Sequence, residues 1–293
     1  MNIKILISYS EQGQPCPRES TAAHSRTKLS ALLSVLIAAL NCFLPMTVAA
    51  QTAPLIHAHA HNDYEHPRPL LDALDQGFCS VEADIYLVDG QLLVAHDRDM
   101  VKPDRTLKSL YLDPLRERAK KNGGRVFPNG PEFTLLIDLK SNWQITYPVL
   151  RAVLTNYTDM LTTFRDGGKR TNAVMVVISG SRDRKMFDGE TVRYAAFDGE
   201  LTDLESNPSP NFAPWVSARW GGSFSWRGSG AMPDAEKQKL TEIVSRAHEQ
   251  GRRVRFWGAP DNREFWQALH AARVDLINTD NLAGLNQFLS ENK

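Results

Sequence analysis

Short apolar segments rich in β-branched residues alternate with segments of helical periodicity along most of this chain. The apolar segments predict eight strands, over residues 55–60, 80–87, 133–139, 173–179, 192–197, 214–218, 253–257 and 274–277. The segments between them predict helices, most clearly over residues 69–76, 145–161, 234–250, 263–273 and 282–289. Such alternation is typical of parallel βαβ units, and eight strands favour a closed barrel over an open sheet. We therefore expect an α/β fold with a single (β/α)8 barrel of the TIM type.

The beginning of the chain has a different pattern, which is typical of an export signal. Two basic residues precede an apolar run over residues 29–44, and small residues follow it up to Ala50. That run is shorter than the roughly 20 apolar residues that a membrane-spanning helix needs. We expect cleavage after Ala50, so that residues 1–50 are a leader and residues 51–293 form the barrel domain of a periplasmic or secreted protein. An uncleaved membrane anchor is the alternative.

Composition narrows the class of partner. The 34 basic residues balance the 34 acidic ones, and no basic block follows the leader, so nucleic-acid binding has no electrostatic support. The domain after the leader, about 240 residues long, is close to the roughly 250 residues of a single barrel.

Two of the three cysteines lie in the leader, which leaves Cys79 without a disulfide partner. Cys79 stands in an apolar strand and is expected to be a core residue.

Residues that favour turns predict two further features, a hairpin and a long loop. Asp89-Gly90 stands between two apolar runs and predicts a two-residue β-hairpin after the second strand. That hairpin would carry His96 and Asp97 back over the barrel mouth. Residues 205–232, rich in Ser, Pro, Gly and Trp, predict a long irregular loop of the kind that lines the active-site face of a barrel.

Polar clusters interrupt or follow several predicted strands, at the ends that converge on the mouth of a barrel. They lie at residues 57–63, 82–84, 96–97 and 138–140. Because residues i and i+2 of a strand face the same side, Glu82 accompanies Asp84, and Asp138 accompanies Lys140. Three carboxylates against one lysine leave an excess of negative charge, which is costly between apolar residues unless a cation offsets it. Oxygen ligands from Glu82, Asp84 and Asp138 predict one divalent cation, Mg²⁺ or Ca²⁺ rather than Zn²⁺.

Two histidines flank this acidic cluster. Phosphodiester cleavage needs one group that takes a proton from the attacking hydroxyl and another that gives a proton to the leaving oxygen. His61 and His96 are the candidates, and Lys140 would add positive charge beside the phosphate. His248 and His270 lie on predicted helices away from the clusters and are expected to be structural.

The order of these residues resembles the phosphatidylinositol-phospholipase-C-like phosphodiesterase superfamily, which includes glycerophosphodiester phosphodiesterases and sphingomyelinase D. The matching positions are His61, Glu82-x-Asp84, His96-Asp97 and Asp138-x-Lys140. The His-x-His-Asn-Asp-Tyr segment at residues 59–64, with residues 255–257 and 278–280, is similar to the branch related to the altered-inheritance-of-mitochondria proteins. The resemblance runs from about residue 55 to residue 289.

This resemblance implies a (β/α)8-type barrel that binds one divalent ion through Glu82, Asp84 and Asp138. It also implies that His61 and His96 act as the acid and the base. The implied partner is a small-molecule or lipid phosphodiester of the glycerol, lipid or inositol type. Direct hydrolysis and a cyclic-phosphate product both stay open, as do transient contact with a membrane surface and the oligomeric state.

The sequence also departs from the pattern of glycerophosphodiesterases. Asn62 stands where those enzymes have an arginine, and their Pro-Glu-Asn-Thr segment is absent, so their substrate specificity does not carry over. We expect Asn62 and Trp257 to contact the substrate. Tryptophans occur at positions 215, 220, 226 and 257. They could stack on a headgroup or cover an acyl chain, but aromatic residues near a barrel mouth are as often packing residues.

Two alternatives stay open at this point. A His-x-His pair formed by His57, His59 or His61 is also how amidohydrolases and histidinol-phosphatase-like enzymes begin. Those sites need further histidine ligands, and after His96 the only histidines lie on predicted helices. Two or three equivalents of zinc or manganese would favour this alternative. The other alternative is an exported binding protein that keeps the pocket without catalysis, and it would not turn over bis(p-nitrophenyl) phosphate.

Overall fold

The computed structural model describes residues 52–292, and eight parallel strands in it close into a barrel. The strands are β1 (Ala58–Ala60), β2 (Ser80–Val88), β3 (Gln91–Val94), β4 (Phe133–Leu139), β5 (Thr163–Arg165), β6 (Gly168–Arg170), β7 (Val174–Gly180), β8 (Val192–Arg193), β9 (Ala196–Gly199), β10 (Trp215–Arg219), β11 (Arg253–Trp257) and β12 (Leu276–Thr279). The barrel runs through β1, β2, β4, β7, β9, β10, β11 and β12, and it closes because β1 pairs with both β12 and β2. The predicted TIM-type barrel is therefore confirmed.

Helices connect most of the barrel strands. They are α1 (Leu71–Asp75), α2 (Asp113–Lys121), α3 (Trp143–Leu154), α4 (Asp203–Ser206), α5 (Trp220–Ser223), α6 (Asp234–Glu249), α7 (Arg263–Ala271) and α8 (Leu282–Glu291). Asparagine side chains accept a backbone N–H at the start of three of them, namely Asn142 for α3, Asn262 for α7 and Asn281 for α8. Such caps satisfy N–H groups that have no partner inside the helix, and they set where each helix begins.

Inside the barrel, an apolar layer lies below a polar one. Buried residues of five strands pack together as a small cluster, namely Leu136, Val177, Ala196, Trp215 and Leu276. Two positions further along the same strands stand Asp138, Ser179, Asp198, Ser217 and Asn278. Because residues two apart on a strand face the same side, these polar side chains form the next layer toward the carboxyl ends. The apolar layer closes the barrel from below, and the polar layer faces its mouth.

The predicted hairpin after β2 is confirmed. β2 and β3 pair antiparallel, and Asp89 and Gly90 adopt φ values of 48° and 77°. Two successive positive φ values are what a type I′ turn requires, and Asp-Gly tolerates them. The returning strand ends where the Ala95 N–H donates to the Asp84 carbonyl (3.2 Å), so the next residue, His96, reaches the barrel mouth.

Two predicted segments differ from the observed ones, and one observed helix has no predicted counterpart. Residues 192–197 split into β8, which joins a small antiparallel sheet with β5 and β6, and β9, which belongs to the barrel. Residues 205–232 are not one irregular loop, because β10 and α5 lie within them. Helix α2 was not predicted, since Leu115 and Ala119 are its only buried residues and give too weak a periodic signal.

The predicted leader, residues 1–50, lies outside the described residues, and cleavage after Ala50 stays a prediction. From Thr52 to Asn292, no helix combines the length and the hydropathy needed to cross a membrane. Cys79 is buried directly before β2, as expected of a core residue.

Candidate active site

A cavity of about 570 Å³ opens at the carboxyl ends of the barrel strands. All eight residues that the sequence predicted for the site line it, namely His61, Asn62, Glu82, Asp84, His96, Asp138, Lys140 and Trp257. We call this space the main cavity. The strands bring these residues together because parallel strands of a barrel end at one face.

Three carboxylates converge at the base of the main cavity. Glu82, Asp84 and Asp138 each offer an oxygen atom, and these three atoms lie within 4.8 Å of one another. Glu82 and Asp84 share one face of β2, while Asp138 pairs directly with Asp84 across the β2–β4 register. Asp84 is buried, and its Oδ1 atom has no hydrogen-bond partner among the described residues. A buried oxygen atom without a donor fits a cation ligand.

The charges around these carboxylates do not cancel. Burial, together with the charges of Glu82 and Asp138, raises the pKa of Asp84 to about 6, although Lys140 opposes the shift. Burial would also raise the pKa of Glu82, yet the Arg255 guanidinium and the hydrogen bond to His59 hold it well below its usual range. Three acidic groups thus face two cationic ones, Lys140 and Arg255. The remaining negative charge and the oxygen-only donor set suit a hard divalent cation.

Lys140 bridges two of the carboxylates. Its Nζ atom lies 2.9 Å from Oδ2 of Asp84 and 3.3 Å from Oδ1 of Asp138. Burial lowers the pKa of Lys140, but the two carboxylates outweigh it and raise the pKa above its usual value. Lys140 therefore stays charged, and part of its side chain faces the main cavity.

His61 is held from one side of its ring. Its Nδ1 atom lies 2.9 Å from Oδ1 of Asp280 and 3.0 Å from the Asn62 amide nitrogen, and its backbone N–H donates to the Thr279 carbonyl (3.1 Å). Burial lowers the pKa of His61, but the hydrogen bond to Asp280 and the charge of Glu82 raise it overall. Its Nε2 atom has no partner among the described residues.

Asp261 holds the loop that carries Asp280. Its Oδ2 atom accepts from the backbone N–H groups of Asp280 (2.9 Å) and Asn281 (3.1 Å). Its Oδ1 atom accepts from Trp266 Nε1 (3.0 Å) and Thr279 Oγ1 (2.7 Å). These four hydrogen bonds fix the partner of His61 in place. Nothing in the sequence pattern pointed to Asp261.

His96 is tied to the acidic cluster through Tyr64. The Tyr64 hydroxyl donates to Asp84 Oδ2 (2.6 Å), and His96 Nδ1 lies 3.0 Å from the same hydroxyl oxygen. Burial and the negative charge of Asp84 raise the pKa of Tyr64, so the hydroxyl keeps its proton. As in His61, the Nε2 atom of His96 has no partner within residues 52–292, and its ring is half exposed at the cavity.

The other histidines of residues 52–292 do not line the main cavity. The His57 ring lies 3.1 Å from the Asp275 carbonyl, which precedes β12 at the opposite end of the barrel. His59 is fully buried inside, with Nδ1 2.7 Å from Ser80 Oγ and Nε2 3.3 Å from Glu82 Oε2. Burial and the Arg255 guanidinium lower the pKa of His59 to about 3, so it stays neutral. His248 lies on α6, as expected.

Several residues that line the main cavity were not among those predicted from the sequence. Asp198 on β9 is buried and accepts a hydrogen bond from Ser217 Oγ (2.6 Å), and Arg182 Nε donates to the Asp198 carbonyl (3.0 Å). Burial raises the pKa of Asp198 to about 6, although the Arg255 guanidinium favours its ionised form. A signal existed, because Asp198 stands two positions after the apolar Ala196 near the end of a strand, as Asp138 does.

Only one of the four expected tryptophans is available to a ligand. Trp257 is 41% exposed and lines the main cavity, with the Arg219 guanidinium 5.8 Å from the centre of its ring. Trp215, Trp220 and Trp226 are buried. Each of these three packs among core side chains, which is one of the two roles that the sequence left open for them.

The chain is similar in sequence to one protein family and to its named members. Residues 47–198 match the family model described as the AIM6-like phosphodiesterase domain. Altered inheritance of mitochondria protein 6 of Eremothecium gossypii is 31% identical over 80% of this chain and 69% of its own length. The protein of the same name from Saccharomyces cerevisiae is 30% identical, over 76% of this chain and 68% of its own. The homologue from Arthroderma benhamiae is 26% identical, over 78% and 82%.

Two solved structures also align with the chain. One is a glycerophosphodiester phosphodiesterase from Parabacteroides distasonis, with a TM-score of 0.48 and 13% identity over 82% of this chain and 100% of that one. The other is a glycerophosphodiester phosphodiesterase from Agrobacterium tumefaciens, with a TM-score of 0.48 and 15% identity over 80% and 100%.

Proposed function

This chain belongs to the AIM6-like phosphodiesterase domain family, and we propose that it hydrolyses phosphodiesters with one divalent cation and the histidine pair His61 and His96. One observation carries the proposal. Two histidines whose Nδ1 atoms are held, and whose Nε2 atoms have no partner in the described part of the chain, line the same cavity as three converging carboxylates. Acid–base catalysis needs such nitrogens within reach of a substrate.

Glu82, Asp84 and Asp138 are the residues that would hold the cation. The unpartnered Oδ1 of Asp84 and the excess of negative charge fit Mg²⁺ or Ca²⁺. A bound cation supplies positive charge that offsets the charge developing on the phosphoryl oxygens. Lys140, charged and beside Asp84, adds to that positive charge from the protein itself.

The environments of the two histidines favour different roles. Asp280 beside Nδ1 orients the His61 ring and stabilises its protonated form, as the third group of a catalytic triad does for a base. We therefore propose that His61 is the base that takes the proton from the attacking hydroxyl. His96 gives a proton to the leaving oxygen, and Tyr64 holds its ring through Nδ1.

The proposed substrate is a small-molecule or lipid phosphodiester of the glycerol, lipid or inositol type. Asn62 and Trp257 line the main cavity and would contact it. Asn62 adopts a left-handed conformation (φ 48°), and its side chain lies between the two histidines, with the amide nitrogen 3.0 Å from His61 Nδ1 and Oδ1 2.8 Å from the Tyr64 hydroxyl oxygen. Trp257 offers an exposed ring at the rim.

The test is turnover of bis(p-nitrophenyl) phosphate and of a panel of glycerophosphodiesters, lysophospholipids and inositol phosphodiesters by purified protein. Chelation should abolish activity, and Mg²⁺ or Ca²⁺ should restore it. On the natural-type esters His61→Ala and His96→Ala should each lower kcat by roughly 100-fold or more without a change in Tm. His57→Ala, at the other end of the barrel, is the matched control. Full activity after chelation would refute the metal role, and no turnover of any ester would favour a binding protein.

A further inference from the structure

A second cavity, of about 350 Å³, lies beside the main cavity. We call it the side cavity. Its wall includes Tyr64, Glu65, His96, Met100, Lys102 and Arg105. We propose that the side cavity is the leaving-group subsite of the phosphodiesterase and that it accepts alcohols carrying an anionic group, such as a carboxylate. This inference rests on the hydrolase function proposed above and deepens it.

His96 is the reason to connect the side cavity with catalysis. His96 lines both cavities, so it stands at the boundary between them. In the proposed reaction the attacking oxygen forms a bond to phosphorus while its proton passes to His61. The bond between phosphorus and the alcohol oxygen breaks, the electron pair stays on that oxygen, and His96 supplies its proton. An alcohol that leaves past His96 therefore moves into the side cavity.

The charges of the side cavity differ from those of the main one. Lys102 and Arg105 line it, and neither has a carboxylate within 4.0 Å in residues 52–292. Arg105 donates from Nη2 to the Tyr64 carbonyl, which fixes its guanidinium at the wall. Glu65 is the one carboxylate in the lining, so two cationic side chains face a single acidic one.

The excess of cationic side chains in the side cavity gives the direction of selectivity, since it favours an alcohol that carries a negative group. In the side cavity, Lys102 is exposed and without an ion pair among the described side chains, so an incoming carboxylate would not have to displace one. Half of the Met100 side chain is exposed nearby, and it offers an apolar surface to the carbon atoms of the alcohol.

The proposed subsite can be tested with two pairs of esters, in each of which the two members differ by a single carboxylate. They are glycerophosphoserine with glycerophosphoethanolamine, and the lysophosphatidyl esters of the same two alcohols. The wild-type protein should show the higher kcat/KM for the serine ester of at least one pair. Lys102→Glu should lower kcat/KM for that ester by about fivefold, the effect of a partly exposed ion pair, and leave the ethanolamine ester within about twofold.

Lys108→Glu is the matched control, because Lys108 is also exposed and unpaired among the described residues but lines neither cavity. This variant should leave kcat/KM for both esters unchanged. Equal loss in both lysine variants, or an unchanged ratio of the two esters in Lys102→Glu, overturns the subsite while leaving the hydrolase function intact. Absence of turnover of all four esters by the wild-type protein overturns the hydrolase function on this substrate class and the subsite with it.

Discussion

Nδ1 of His61 lies 2.9 Å from Oδ1 of Asp280, although 219 positions separate the two residues in the sequence. The contact exists because β1 pairs with β12, which closes the barrel and sets the loop after β12 beside the end of β1. The orientation and the pKa of the His61 ring therefore depend on the loop that follows the last strand of the barrel.

Replacing Asp280 should therefore change how His61 titrates. Asp280→Asn keeps the size of the side chain but removes the charge that raises the pKa of His61. The pKa of His61 should fall, and since a general base must be unprotonated, the acidic limb of the kcat/KM profile should move to lower pH. We expect kcat to fall by about tenfold, less than the ~100-fold expected for loss of a general base. Asp97→Asn, at an exposed carboxylate near His96, should leave the profile in place. An unchanged profile in Asp280→Asn would contradict the role of this pair.

The cation should compete with protons for Asp84. Burial and the neighbouring carboxylates raise the pKa of Asp84 to about 6, and the cation needs the ionised form. Mg²⁺ or Ca²⁺ should raise Tm at pH 8, since an ion bound only by the folded state stabilises it, and the increase should shrink as pH falls below about 6. Thermal unfolding with a metal titration at several pH values measures this. Asp84→Asn should abolish the increase, and no increase at pH 8 in the wild-type protein would count against the site.

His59 should matter for stability and metal binding rather than for the chemical step. His59→Ala removes the contacts with Ser80 and Glu82 and leaves a buried carboxylate with one partner fewer, at a cost of about 2 kcal/mol or more in the free energy of unfolding. Loss of a group that orients a metal ligand typically weakens metal affinity by about 10–100-fold. At saturating cation, kcat should return to within about tenfold of the wild-type value. If a folded His59→Ala stays as inactive as His61→Ala, the one-pair mechanism is wrong.

Asp63 should make stability fall as pH rises toward neutrality. Its carboxyl group is buried, and burial raises its pKa to about 7 although Leu70 N–H and Tyr111 hydroxyl donate to it. The folded protein then keeps a proton that the unfolded chain loses near pH 3.8. Between these two pH values the folded state binds more protons, so the free energy of unfolding decreases with rising pH and levels off above pH 7.

Asp63→Asn should remove this slope, and the difference from wild type should grow between pH 4 and pH 7 by an amount on the order of a few kcal/mol. Denaturant unfolding across that range measures it. Asp89→Asn, at the exposed hairpin turn, is the control. Parallel curves for Asp63→Asn and the wild-type protein would show that Asp63 is ionised in the fold.

Export is a separate proposal, which rests on the sequence alone. If residues 1–50 are a signal segment, the protein secreted by its host should begin at Gln51 or within a few residues of it, because small residues directly follow the apolar run. N-terminal sequencing of that protein is the measurement. Retention of residues 29–44 in a membrane fraction would instead indicate an anchor.

Which side chains reach the barrel mouth from the longer strands could be predicted from the amino-acid sequence. Glu82 with Asp84, and Asp138 with Lys140, were placed by the two-residue period of a strand and by the meeting of parallel strands at one face. The second rule follows from the fold class that the alternation of strands and helices predicts, whereas the first acts locally. The same holds for the hairpin, since Asp89-Gly90 favours its turn without help from the rest of the fold.

The hydrogen-bond partners of these side chains, and their depth in the barrel, could not be predicted in the same way, because they depend on contacts between distant strands. Arg255 meets Glu82 across 173 positions, and such a contact follows from barrel closure, which no local period contains. His57, His59 and His61 share one face of the first strand, yet each is about 7 Å from the next along the chain, because a strand rises roughly 3.3 Å per residue. The pairing of Ala58 with Ile277 fixes where that strand enters the barrel. It leaves His57 at the far end, His59 inside and His61 at the mouth, because depth in a barrel is set by the register between strands distant in sequence.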